Sequence, residues 1–107
     1  MTFARASILV LLSGALAPAF AQSADRGVGA RLVQDTCATC HAVGADADAK
    51  SPDPKAPRFL DVAKMPSTTE LSIKVFLRSS HRNMPNFILT PEEIDGVAAY
   101  ILGLGKR

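Results

Sequence analysis

The chain lacks tryptophan altogether and has a single tyrosine, Tyr100, among its 107 residues. A domain this short buries a limited share of its surface and commonly depends on a disulfide, a metal or a cofactor to stay folded. Large aromatic side chains are scarce, and alanine and the N-terminal segment inflate the 48% hydrophobic content. Something other than side chains is therefore expected to fill part of the core. An excess of one charge is also missing, since 12 basic residues face 10 acidic ones for a net +2. A nucleic-acid-binding domain normally carries a much stronger basic excess, so that class is set aside. No segment alternates apolar and polar residues as a half-buried strand would, and there is no internal repeat. Cysteine is scarce too: Cys37 and Cys40 are the only two.

The longest apolar stretch opens the chain. In "MTFARASILVLLSGALAPAFAQ", Arg5 precedes an apolar run from Ile8 to Leu16 that only Ser13 and Gly14 interrupt. The run is far short of the ~20 residues a spanning helix needs. Pro18 breaks it, and Ala19-Phe20-Ala21 has the small-x-small pattern that a signal peptidase reads. Residues 1–21 are expected to be a secretory signal peptide, leaving 22–107 as one mature domain in the periplasm. No cysteine follows the cleavage site, so neither a lipid anchor nor any other permanent membrane anchor is expected.

The rest of the chain reads as helices joined by irregular segments, which makes the fold all-α. Asp25 to Thr36 forms the first expected helix, with Val28, Leu32 and Val33 on one face. Gly29 lies inside it at a cost of about 1 kcal/mol against alanine, which implies a packing reason. From Ala45 to Pro57 three prolines and no large apolar residue predict a loop, and "RFLDVA" predicts one short turn. "STTE" at Ser67 to Glu70 matches a capping box, opening a helix with Leu71, Val75 and Phe76 or Leu77 inward. "TPEE" gives a stronger start, with Thr90 as N-cap, Pro91 at N1 and Glu93 reaching back. The helix that follows carries Ile94, Val97, Ala98, Ile101 and Leu102 on one stripe, and Gly103 and Gly105 can close it. Phe59, Phe76, Phe87, Ile94 and Tyr100 are expected to line a cofactor crevice or the helix interface, as core residues of any kind would.

The chemistry lies in "CATCH", Cys37 to His41. A structural zinc site needs four ligands, and only His81 and carboxylates are left to complete one. A thioredoxin-like dithiol belongs in a βαβ unit, which this chain does not offer. A plain disulfide would close a two-residue loop for little stability. Covalent haem attachment accounts for every letter. Two thiols about one helical turn apart can each add to one of the two haem vinyl groups, and His41, next in sequence, can coordinate the iron through Nε2. In an exported all-α chain, C-x-x-C-H is a specific signal for this chemistry.

With these residues in hand, the sequence resembles the class I cytochrome c family from about Gly27 to Gly105. "GARLVQDTCATCH" is similar to the family's first helix, and Gly29 occupies the place of the glycine that lets the last helix approach. "VAAYIL" is similar to the closing helix. The resemblance implies Val97 against Gly29 and Tyr100 against Val33. "APRF" resembles the proline segment, so the Pro57 carbonyl is expected to accept a hydrogen bond from His41 Nδ1–H, orienting the ring and raising its basicity. "HRNMPNF" resembles the methionine loop, which makes Met84 the expected sixth ligand. A thioether raises the reduction potential relative to histidine. Met65, also followed by proline, and His81 are its competitors. The implied fold is three to four helices wrapped around one covalent haem c.

The expected function is a monomeric, one-electron periplasmic carrier between redox proteins, whether dehydrogenase, oxidase or another cytochrome. With His41 and Met84 both bound, iron has no open position for a substrate, so no enzyme activity is expected. The alternatives are a haem enzyme or ligand sensor with an exchangeable sixth position, and a dedicated cytochrome subunit of a periplasmic dehydrogenase. Between Lys50 and Arg82, seven basic residues face three acidic ones. This is a solvated face or a docking patch for an acidic partner.

Overall fold

The computed structural model describes residues 20–81 and 83–106. The proposed signal peptide lies almost wholly outside them, as do Arg82 and Arg107. Four α-helices follow one another: α1 (Phe20–Asp35), α2 (Phe59–Lys64), α3 (Glu70–Leu77) and α4 (Pro91–Leu104). A short 3-10 turn, Cys37–Thr39, continues α1. Among the described residues there is no strand, as the missing alternation predicts.

Helix α4 is the hub, and each of the other three helices packs on it, α1 most extensively. Its start is the one read from sequence. Thr90 Oγ1 accepts from the Glu93 backbone N–H at 3.2 Å, a Glu93 carboxylate oxygen accepts from Thr90 N–H at 2.8 Å, and Pro91 occupies N1. The apolar stripe is buried at Ile94, Val97, Ala98 and Ile101, while Leu102 is half-buried and Leu104 joins the core.

The α1–α4 crossing rests on two glycines. A Cβ on Gly29 would fall inside the backbone of Gly96, with Gly96 Cα only 2.7 Å away. The close partner of Gly29 is therefore Gly96, the neighbour of the expected Val97. Glycine permits this approach because it has no side chain to keep the backbones apart. Val33 and Val97 are the largest fully buried side chains of the described residues. Tyr100 is half-buried against the same core, and its hydroxyl donates to the Val43 carbonyl at 2.7 Å. Beyond any packing on Val33, Tyr100 thus ties α4 to the loop after His41.

Helix α3 departs from the sequence reading. Its N-cap is Thr69 and its capping box pairs Thr69 with Ser72, two residues later than the "STTE" match. The segment carries two i, i+4 apolar stripes, and the structure turns Ile73 and Leu77 inward. Leu71 and Val75 form the other stripe, 71% and 56% exposed. Helix α1 also begins earlier than Asp25, and "RFLDVA" forms a full α2 that buries Phe59 and Leu60.

Candidate functional site

The 3-10 turn that continues α1 presents the cysteines and the histidine together. Thr36 N–H still bonds to Leu32 O, after which both Cys40 N–H and His41 N–H turn back to Cys37 O, at 3.2 and 2.9 Å. This tight turn keeps Cys37, Cys40 and His41 within about one helical turn of each other. The thiols are not joined to one another. Burial pushes the Cys37 thiol above its ordinary range, and its backbone hydrogen bond only partly offsets this. Among the described residues, no three His, Cys, Asp or Glu side chains gather to hold a metal ion, so the zinc reading has no ligand set there.

The proline-rich loop is stitched onto this turn more firmly than its composition suggests. Asp53 N–H donates to Cys40 O at 3.0 Å, Ala42 N–H to Ser51 Oγ at 3.0 Å, and Phe59 N–H to Ala42 O at 2.9 Å. Arg58 bonds to the Ala47 carbonyl and forms a two-point ion pair with Asp61 at 2.7 Å. His41 Nδ1 lies 2.6 Å from Pro57 O. A carbonyl can only accept, so the proton sits on Nδ1 and Nε2 keeps a free lone pair for a metal. The Phe59 ring, 5.0 Å from the imidazole centroid, packs beside it at a tilt.

His41 opens onto a cavity of about 590 Å³. That volume lies within the range of about 300–1,000 Å³ usual for cofactor pockets. Cys37, Phe59, Ile73, Leu77, Val97 and Ile101 are among its walls. Phe76 and Met65 also line it, although 53% and 49% of their surfaces are exposed. Large apolar side chains left half open around one cavity fit a flat apolar group that would cover them, with the thiol and imidazole at its edge. The residues present therefore suit haem c: Cys37 and His41 line the cavity, and Cys40 lies on the same turn without being among its walls.

Three further donors line the same cavity: Met84, Met65 and His81. Met84 is half-buried and follows Asn83, whose φ of 69° is left-handed, a region asparagine tolerates better than most residues. His81 lies flat on Phe76, with ring centroids 3.6 Å apart. Phe87, expected in the crevice or the helix interface, instead lines a separate surface groove with Ile88 and Ile94 and is 47% exposed. The sequence reading passed over Gly96, Ser51 and the Tyr100–Val43 bond. The helix-interior penalty that singled out Gly29 applies equally to Gly96 and was the available signal.

Comparison with known proteins agrees with this geometry. The profile of the family described as "Cytochrome C oxidase, cbb3-type, subunit III" matches residues 24–101. The chain is 36% identical to cytochrome c-552 of Bradyrhizobium diazoefficiens over 94 residues, 88% of each protein. It is 34% identical to cytochrome c6 of Anabaena variabilis over 82 residues, 75% of this chain and 92% of that protein. No solved structure matches. The chain belongs to the class I cytochrome c family of small monohaem electron carriers, and it holds haem c covalently.

Proposed function

We propose that this cytochrome is a periplasmic one-electron carrier whose iron is held by His41 and Met84, with thioethers at Cys37 and Cys40. The observation that carries the reading is the apolar cavity lined by Cys37, His41 and Met84, with His41 Nδ1 committed to Pro57. When bound, the haem supplies a one-electron couple at its iron, which a thioether ligand moves to higher potential. The chain's own tasks are to orient His41 through Pro57, to present Met84 from the Asn83 turn, and to exclude water with the apolar walls. Two axial ligands would leave no place for a substrate, so catalysis is not expected. Residues 1–21 would direct export and 22–107 would form the mature, monomeric domain. Among the described residues no helix is long and apolar enough to cross a membrane.

The partners expected are larger redox proteins, met through weak and fast complexes with small interfaces. The basic middle segment is less free than its count suggests, because Arg58 pairs with Asp61, and Lys74 with Glu70 at 2.5 Å and Asp95 at 2.9 Å. This favours a solvated face over a docking patch. One observation supports a second reading, a cytochrome subunit of a larger redox enzyme, because the matching family is described by an oxidase subunit. Native co-purification separates the two.

The deciding experiment on the site compares absorption spectra of Met84→Ala and Met65→Ala made with a c-type maturation system. The oxidised protein should show the red-edge thioether–iron band, which Met84→Ala should lose and Met65→Ala retain. The opposite result would move the ligand to Met65. Failure to form covalent haem under maturation conditions would sink the reading as a whole.

A further inference from the structure

Two histidines and two methionines line one cavity: His41, Met65, His81 and Met84. The proposed carrier uses His41 and Met84. His81 is the one other nitrogen donor among those four, and its placement is specific. Its imidazole stacks on Phe76 with centroids 3.6 Å apart and planes within 22° of parallel. Both rings line the cavity wall. One closed loop delivers His81 and Met84 to this space, since Asn86 Nδ2 donates to Ser80 Oγ at 2.9 Å and clasps the loop at its two ends. Between the two donors, Asn83 takes the left-handed conformation that redirects the chain. A change that removes one donor therefore leaves the other anchored in the same cavity by the same clasp.

We propose that His81 is a reserve axial ligand, parked on Phe76 while Met84 holds the iron and taken up when the thioether is lost. This inference rests on the Met84 reading above. Exchanging sulfur for nitrogen keeps the iron low-spin and closed to small ligands while lowering its potential. The protein would thus change from a high-potential to a low-potential carrier and would not become an open haem site. A local ligand also competes with added ones at the effective concentration its tether sets, which is high for so short a loop.

The test uses matured holoprotein and reads the spin state of oxidised iron by electron paramagnetic resonance, together with the reduction potential. His81→Ala alone should keep the thioether–iron band and stay low-spin. Met84→Ala should lose the thioether–iron band, remain low-spin with a bis-imidazole signature, and fall in potential. Met84→Ala/His81→Ala should turn high-spin and bind added imidazole more tightly than Met84→Ala does, whereas Met84→Ala/Met65→Ala should match Met84→Ala. Met84→Leu keeps the side-chain volume and asks the same question should the alanine variant fail to mature. A high-spin Met84→Ala, or a double variant that stays low-spin without His81, overturns the proposal while leaving Met84 as the native ligand. Loss of the wild-type spectrum in His81→Ala would make His81 the native ligand and overturn it as well. Persistence of the thioether band in Met84→Ala would overturn the Met84 assignment, and the reserve-ligand proposal with it, by a different signature.

Discussion

Gly29→Ala is a direct test of how the fold holds its haem-binding turn, because α1 carries that turn at its C-terminal end. The new Cβ would lie 2.7 Å from Gly96 Cα. The Gly96 carbonyl carbon and oxygen lie closer still, and ordinary carbon contacts fall at about 3.5–4.0 Å, so the two helices must separate by more than about 1 Å. Backbone cannot rotate aside as a side chain can, which places the cost near the upper end of the about 1–3 kcal/mol typical of overpacking. Alanine returns about 1 kcal/mol through its better helix propensity. The net loss is about 2 kcal/mol, and at about 4–8 °C per kcal/mol for a domain of this size the midpoint should drop by roughly 8–16 °C. Gly103→Ala is the matched control, since it makes the same change in α4 where no neighbouring atom lies within 4 Å. It should leave stability unchanged or raise it by up to about 1 kcal/mol. Thermal and denaturant unfolding of the holoproteins measures both. A Gly29→Ala midpoint at or above wild type would refute the glycine–glycine contact. A similar loss at Gly103 would show that the effect does not come from the helix crossing.

Cys37→Ala and Cys40→Ala should each abolish or cripple holoprotein formation, read as the yield of covalently bound haem after denaturing electrophoresis. Tyr100→Phe removes the donor to the Val43 carbonyl and should cost about 1 kcal/mol in denaturant unfolding, with the haem spectrum intact. The hydrogen bond from Arg58, aided by its charge, holds the Asp61 carboxyl below the usual carboxylate range. Its stabilisation is therefore complete above the ordinary carboxylate pKa and is lost as pH falls through the lowered one. Asp61→Asn should flatten that acid limb in a stability–pH titration by lowering the neutral plateau towards the acid value, with the acid end unchanged. Haem-free chain should show little helix by far-ultraviolet dichroism, because binding confined to the native state contributes directly to its stability. Native helix content in the apoprotein would count against a cofactor-built core.

What could be read from sequence divides along the range of the interactions involved. Thr90-Pro91-Glu92-Glu93 specifies its own helix start, since every partner in the cap lies within three residues. CATCH is equally local, because three reacting groups share one turn. The inward face of α3 is different. Its two apolar stripes are equivalent until α4 and the cavity select Ile73 and Leu77 over Leu71 and Val75. The Gly29–Gly96 contact depends on a pair of residues far apart in sequence, so each glycine alone signals only that some neighbour comes close. The same reasoning explains why sequence ranked Met84 ahead of Met65 and His81 through its resemblance to a known loop and not by position. The fold brings all three donors to one cavity. Choosing among them depends on which donor the iron holds, and that is a competition between tethered ligands that no single segment of the chain encodes.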